Sequence, residues 1–141
     1  MVERRYLLDT NVLAEPLKPR PNAALLRALE THAGALVTAA PVWHELTYGC
    51  DLLPASRRKT VIDRYLREVV APTLPVWPYD HAAARWHAGE RARLEKSGKP
   101  PSFVDGQIAA IAAVNGAVLV THNLADYRAF SDLLLEDWFT A

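Results

Sequence analysis

Four acidic residues lie at the edges of apolar segments, and their type suits the binding of a divalent cation: Asp9, Glu45, Asp105 and Asp126. Carboxylates that face one place repel each other, and a hard cation such as Mg²⁺ or Mn²⁺ relieves that repulsion through oxygen ligands. Any one of these residues alone is as well explained by a helix cap or by a solvated acid at a sheet edge. The four together favour a metal site.

Asp9 directly follows the apolar segment 6–8, which is typical of a strand buried on both faces at the centre of a parallel sheet. Thr10 or Asn11 can cap a helix that begins immediately afterwards. Asp9 is therefore predicted to lie at the carboxyl end of a central strand, which is where open α/β sheets place their ligands.

Glu45 and Asp105 each share a helix face with small or apolar residues at spacings of three, four and seven positions. These companions are Val42, Gly49 and Leu52 for Glu45, and Ile108, Ala109 and Ala112 for Asp105. A buried carboxylate without a partner is costly, and no lysine or arginine lies beside either residue on its own element. The pattern predicts that both carboxylates point toward the core side of their helices.

The fourth acidic position is ambiguous between Asn123 and Asp126. Both follow the strong strand pattern of residues 117–121, and Asp126 lies one helical turn beyond Asn123. A charged oxygen suits a hard cation better than an amide does, so Asp126 is expected to complete the pocket with Asn123 as a hydrogen-bond partner. The competing interpretation is that Asp126 only caps the short segment that precedes Tyr127.

Strand and helix patterns alternate along the chain, which indicates an α/β fold built on a parallel sheet, in a single domain of residues 1–141. The predicted strands are 6–8, 35–38, 74–77, 117–121 and an edge strand at 133–135, and the predicted helices include 22–32, one opening at Pro41, one capped by Ser56 and ended by Pro72, 80–96 and 103–114. Such a sheet brings the carboxyl ends of its strands to one edge.

Composition narrows the class of protein. The 141 residues carry equal numbers of basic and acidic side chains, so any contact with nucleic acid must rest on local patches or on bound cations. The single cysteine, Cys50, excludes an internal disulfide framework. No segment is apolar enough for a membrane span, and a cytoplasmic location is expected.

Four motifs resemble the PIN-domain ribonucleases, and most closely the VapC toxins of bacterial toxin–antitoxin pairs. They are Leu7-Leu8-Asp9-Thr10-Asn11, Glu45-Leu46-Thr47-Tyr48-Gly49, Pro100-Pro101-Ser102-Phe103-Val104-Asp105 and Val120-Thr121-His122-Asn123-Leu124-Ala125-Asp126-Tyr127. Each motif is weak alone, but four in order over nearly the whole chain form a specific signal. His122 and Tyr127 depart from the family, where many relatives have arginine and phenylalanine.

The resemblance implies a three-layer α/β/α PIN-like domain with a central parallel sheet of four to five strands. It also implies Mg²⁺-dependent cleavage of RNA by a type II toxin, a homodimer, a cognate antitoxin, and contact with operator DNA only through that antitoxin. Asp9 and Asp105 would be the principal metal ligands, with Mn²⁺ as a possible substitute for Mg²⁺, and Glu45 would ligate the ion or orient the attacking water. The supporting residues that hold the carboxylates or the phosphate would be Thr10, Asn11 and Thr121.

The same residues suggest three other interpretations. A phosphatase of the haloacid-dehalogenase type requires a second aspartate two residues after Asp9, and Asn11 stands there. A zinc site is disfavoured because the five histidines lack paired zinc-ligand spacing. The main alternative is a catalytically weak PIN-like binding module that acts through a partner protein or operator DNA.

Overall fold

The fold is built around a five-stranded parallel sheet. A computed structural model describes residues 3–139, and its strands are β1 (Tyr6–Leu8), β2 (Leu36–Ala39), β3 (Val76–Trp77), β4 (Val118–Val120) and β5 (Leu134–Glu136). They lie in the order β3-β2-β1-β4-β5, with every neighbouring pair parallel. The predicted parallel sheet is confirmed, including β5 as an edge strand.

Strand β1 occupies the centre of the sheet, as its apolar run predicts. Leu7 and Leu8 are fully buried, and Leu8 pairs in register with Val120 of β4. Because β1 and β4 end side by side, the residues that follow them meet at one edge of the sheet. The main-chain N–H of Asp9 continues this pairing by donating to the Val120 carbonyl at 3.0 Å.

Helices cover both faces of the sheet and give the three layers expected of the domain. The helices are α1 (Thr10–Ala14), α2 (Ala23–Thr31), α3 (Ala40–Leu52), α4 (Arg57–Tyr65), α5 (Ala71–Thr73), α6 (His81–Lys96) and α7 (Phe103–Val114). Short 3₁₀ turns span Glu15–Leu17 and Leu124–Asp126, and a π turn, Leu66–Val70, joins α4 to α5. No helix within residues 3–139 has the length and apolarity that crossing a membrane requires.

Two local predictions are wrong. Pro72 does not end the helix that Ser56 caps, because that helix, α4, already ends at Tyr65 and a π turn follows it. Pro72 is the second residue of α5, a position where proline is tolerated. The face of α3 that carries Glu45 is not buried. Glu45 and Gly49 are exposed and Leu52 is 65% exposed, whereas Val42 and Cys50 supply the buried contacts. Of the predicted inner face only Val42 is buried, so periodicity alone misassigned the inner face of α3.

Helices α6 and α7 pack closely through His87 and Gly106. A Cβ on Gly106 would overlap the imidazole Nε2 of His87 and lie 2.6 Å from its Cδ2. The ring is buried and its Nδ1 lies 2.8 Å from the hydroxyl of Tyr79. Burial lowers the pKa of His87, and the charge of Arg91 lowers it further, so a neutral ring fills the space that Gly106 leaves.

Candidate functional site

Asp9 lies at the point where β1 ends and α1 begins, and it caps that helix itself. Its backbone is extended, and its Oδ1 accepts a hydrogen bond from the N–H of Thr10 at 2.8 Å. The prediction that Thr10 or Asn11 supplies the cap is therefore wrong by one or two residues. The side chain is only 5% exposed, so the sequence places a nearly buried carboxylate at the edge of the sheet.

The second oxygen of Asp9 is held by donors from distant parts of the chain. Its Oδ2 accepts from Thr121 Oγ1 at 2.9 Å, from Tyr127 OH at 3.2 Å and from Asn11 Nδ2 at 3.5 Å. Asn11 also donates to Thr121 Oγ1 at 3.3 Å and accepts from the N–H of His122 at 2.9 Å. These contacts tie the segment after β1 to the segment after β4, as the supporting roles predicted for Asn11 and Thr121 require.

Asp105 approaches from the first turn of α7, which Ser102 caps. Its Oδ1 accepts from the same Tyr127 hydroxyl at 3.3 Å, so this hydroxyl lies between Asp9 and Asp105. Burial raises the pKa of the Asp105 carboxyl, the negative charges of Asp126 and Asp9 add to the rise, and hydrogen bonds from Ser102 and Tyr127 oppose it. The predicted contact of α7 with the core is confirmed, since Ile108, Ala109 and Ala112 are buried.

Glu45 reaches the same edge from α3 with an exposed side chain. The hydroxyl of Thr10, the residue after Asp9, donates to Glu45 Oε2 at 3.4 Å. This is a long hydrogen bond to a solvated group, and it contributes little stability. The contact places Glu45 beside the Asp9 segment but does not hold the glutamate side chain in one position.

Asp126 and Asn123 both lie on the 3₁₀ turn after β4, and both are exposed. Asp126 is near enough for its charge to raise the pKa of Asp105. Asn123 contributes its backbone N–H, which donates to Thr121 Oγ1 at 3.0 Å. The turn therefore brings the Asp126 charge toward the acidic pair, while Asn123 supports Thr121 through the main chain.

Tyr127 is the residue that our sequence-based predictions omitted from the site. Its side chain is 1% exposed, and its hydroxyl contacts both Asp9 and Asp105. Burial and the two carboxylates raise the pKa of Tyr127, so the hydroxyl keeps its proton. The single hydroxyl proton of Tyr127 is shared between the carboxylates of Asp9 and Asp105. The departure from the phenylalanine of the PIN-domain pattern was the available signal, since it adds a polar atom to an otherwise apolar position.

Replacing Tyr127 with phenylalanine is expected to destabilise the protein mainly when no divalent cation is present. The lost hydroxyl donates to charged groups, and such bonds contribute about 1.5 to 3 kcal/mol. A bound cation that neutralises the carboxylates should restore most of the lost stability. Urea unfolding in EDTA and in Mn²⁺ measures the free energy of unfolding under each condition.

The matched control is Tyr65→Phe, which removes a hydrogen bond of 2.8 Å to the neutral Leu13 carbonyl. Burial raises the pKa of Tyr65 to about 12, so it too remains a donor. The decrease in the free energy of unfolding caused by Tyr65→Phe should be the same with and without the cation. An equal loss for Tyr127→Phe under both conditions would show that the hydroxyl does not act on the repulsion between the carboxylates.

The acidic residues have no basic partner that would neutralise them. None of the ion pairs formed within residues 3–139 includes Asp9, Glu45, Asp105 or Asp126. In the same part of the chain, no three His, Cys, Asp or Glu side chains are drawn together tightly enough to form a metal cluster by themselves. The edge therefore combines one carboxylate pair joined by a shared hydroxyl, Asp9 and Asp105, with the two exposed acids Glu45 and Asp126.

Comparison with known proteins assigns this arrangement to a family. Residues 6–131 match the PIN domain. This chain belongs to the PIN domain family. The VapC ribonuclease Y4jK of Sinorhizobium fredii is 32% identical over 139 residues, which cover 94% of this chain and 96% of that protein. This level of similarity over nearly the full length places the PIN domain among the VapC ribonucleases.

Two further relatives show how far the similarity extends. The tRNA(fMet)-specific endonuclease VapC of Shigella flexneri is 29% identical over 95% of this chain and 98% of that protein. The structure of DNA-bound VapBC from Salmonella typhimurium superimposes with a TM-score of 0.83 at 27% identity, covering 96% of this PIN domain and 99% of that chain. The family assignment agrees with the resemblance predicted from the four motifs and removes the phosphatase interpretation.

Proposed function

We propose that the protein is a Mg²⁺-dependent endoribonuclease and the toxin of a bacterial type II toxin–antitoxin system. The observation that carries this proposal is the meeting of Asp9 and Asp105 on the hydroxyl of Tyr127 at the carboxyl edge of the sheet. Two carboxylates in this position, without a lysine or arginine partner, suit a cation-assisted reaction on an anionic substrate. The names of the curated relatives support RNA as that substrate.

The donor set fits Mg²⁺, with Mn²⁺ as a substitute. Every acidic side chain at the edge offers oxygen, and Mg²⁺ is usually bound by one or two carboxylates while it keeps several waters. Oδ1 of Asp9 accepts one hydrogen bond, from the N–H of Thr10, and the Tyr127 hydroxyl contacts only Oδ1 of Asp105, so each carboxylate keeps an oxygen that can also bind an ion. Asp9 and Asp105 would therefore hold the ion, and Glu45 would complete or orient its surroundings.

Each residue at the edge has a part in phosphodiester hydrolysis that follows from its position. Thr121 and Asn11 keep the Asp9 carboxylate fixed, so little reorganisation is needed when substrate binds. The exposed Glu45 is free to orient a water or to accept its proton. The ion, when bound, polarises the scissile phosphate and offsets the charge of the leaving oxygen.

Incubation of purified protein with total bacterial RNA, in Mg²⁺ or in EDTA, tests the proposed function. Cleavage at defined sites in Mg²⁺, read by sequencing of the RNA ends and absent in EDTA, is the expected result. Intact RNA in both conditions would favour the alternative, a catalytically weak PIN-like module that binds a partner protein or operator DNA.

We expect the protein to form a homodimer in solution, and light scattering measures its oligomeric state.

We place the cognate antitoxin in a cleft of about 840 Å³ that borders Glu45. Its floor includes Leu46, Leu53 and Ile62, and basic side chains of Arg57 and Arg58 lie along it. An extended or helical segment with apolar and acidic residues complements this lining. Such a segment would cover the acidic edge, and operator DNA would be contacted through the antitoxin.

Val61→Asp is expected to weaken antitoxin binding by tenfold or more while RNA cleavage continues, because Val61 lines the cleft and is 53% exposed. Val69→Asp is the matched control, since Val69 is 51% exposed and lies outside the cleft lining. Titration calorimetry with the antitoxin encoded beside this gene measures both. Equal affinities for the two variants would place the antitoxin elsewhere.

The fourth acidic position is tested by comparing Asp126→Asn with Asn123→Ala. We expect RNA cleavage to fall more for Asp126→Asn, because the change removes the negative charge that acts on Asp105. Asn123→Ala keeps the backbone N–H that supports Thr121. Initial rates in Mg²⁺, at matched folded fractions, give the comparison. The reverse order would assign the position to Asn123.

A further inference from the structure

A second, smaller pocket of about 280 Å³ lies on the other side of Glu45 from the antitoxin cleft. It is formed by the start of α3, the residues before α6 and the first two turns of α7. Its lining includes Val104, the neighbour of Asp105, as well as Glu45 itself. The pocket therefore opens beside the acidic edge, next to Glu45 of α3 and to Asp105 of α7.

The walls of this pocket are apolar and one of them is a fixed ring. Pro41 and Val104 supply aliphatic surface, and Tyr79 supplies an aromatic face. The hydroxyl of Tyr79 lies 2.8 Å from Nδ1 of the buried His87, which holds the tyrosine ring in place. The volume is at the lower end of small-molecule sites and suits one planar ring group.

Besides Glu45, two polar side chains, Gln107 and His44, belong to the lining of this pocket. Gln107 is partly buried in the pocket, and its amide makes no hydrogen bond to another group within residues 3–139. A free amide offers one acceptor and two donors, a combination that pairs with the edge of a nucleobase. His44 is exposed at the entrance, with its ring stacked 5.9 Å from that of Tyr48.

We propose that this pocket binds one unpaired RNA base next to the phosphodiester that is cleaved, and that Gln107 selects the base. The inference rests on the proposed function and adds the recognition of the substrate. Proteins read single-stranded RNA by placing an unstacked base on an aromatic ring and pairing its edge with polar groups. Tyr79 and Gln107 supply these two parts within one pocket beside the acidic edge.

The first test observes the amide directly. Gln107 is the only glutamine of the sequence, so protein labelled with ¹⁵N at glutamine side chains gives a single amide pair. We expect one of four RNA tetranucleotides, each of a single base, to shift this pair at a concentration at least fivefold below the others, in EDTA so that RNA stays intact. No shift, or an equal shift for all four and for an abasic oligonucleotide, would overturn the proposal.

The second test measures selectivity in cleavage. Gln107→Ala is expected to reduce the preference for one base beside the cleaved bond by about fivefold or more, because a paired base edge contributes that much discrimination. Asn115→Ala is the matched control, since its amide lies at the other end of α7 and donates to the Ile111 carbonyl. An unchanged preference in Gln107→Ala would refute the role of Gln107 even where RNA is cleaved. Failure of the proposed function appears separately, as intact RNA with wild-type protein.

Discussion

Asp9→Asn is expected to reduce RNA cleavage by roughly a hundredfold or more and to leave the protein at least as stable as wild type. The metal contributes several kcal/mol to such reactions, and Asp9 is the most enclosed of the carboxylates that would hold it. The asparagine oxygen can replace Oδ1 and accept from the Thr10 N–H, so the helix cap survives. The amide NH2 then replaces Oδ2 and donates to the hydroxyls of Thr121 and Tyr127, which can turn to accept. Loss of a buried negative charge beside Asp105 removes repulsion in the metal-free protein.

Two measurements separate this outcome from simple unfolding. Thermal melting in EDTA should show no loss for Asp9→Asn. We expect Mg²⁺ to raise the melting temperature of the wild type, and this rise should be absent in the variant. Expression of wild type should arrest growth, and expression of the variant should not. Asp63→Asn is the control, because its exposed carboxylate pairs with Arg67 of the π turn that follows α4. Growth arrest by Asp9→Asn equal to that of wild type would point to a binding role.

Gly106→Ala is expected to cause the largest loss of stability of any single change considered, roughly 3 kcal/mol. The added Cβ would overlap the ring of His87, which is buried and has no free space to enter. Gly49→Ala is the control, because we expect it to increase the stability of the protein rather than to lower it. Gly49 lies in α3 with nothing within 4 Å of the added carbon, so alanine should raise stability by roughly 0.5 to 1 kcal/mol. Urea unfolding measures both.

A double substitution shows whether His87 is the cause. In the His87→Ala background the ring is absent, so Gly106→Ala should cost much less than it does in wild type. A cost that is the same in both backgrounds would mean that Gly106 is required for another reason. His87 also contacts the hydroxyl of Tyr79, so the proposed base preference should change in His87→Ala.

The elements whose ends carry strong local signals were predicted well. Helix α7 begins after the Ser102 cap and ends at Asn115-Gly116, and its observed bounds, Phe103–Val114, are those predicted. The positions of Asp9 and Asp105 near the core could be predicted because each belongs to or follows an apolar element that must be buried. Local chemistry of this kind acts within a few residues, so it is visible in the sequence.

The remaining features depend on contacts between distant segments. The inner face of α3 could not be assigned, because the position of that helix relative to the sheet decides which residues are covered. Tyr127 lies 118 positions from Asp9, and only the pairing of β1 with β4 brings its hydroxyl to the carboxylates. The pocket around Gln107 joins segments from three elements, and no pattern within one helix indicates it.

The central place of β1 has a consequence for the order of folding. Its neighbour β4 lies near the other end of the sequence, and the hydrogen bond from Thr121 to Asp9 joins residues 112 positions apart. Such long-range pairing is slow, because the entropy of closing the loop is lost before the contacts form. A growing chain can pair β1 with β2 early, but it cannot assemble the acidic edge until the Thr121–Tyr127 segment has been made and docked. Partly folded chains therefore lack the assembled acidic edge.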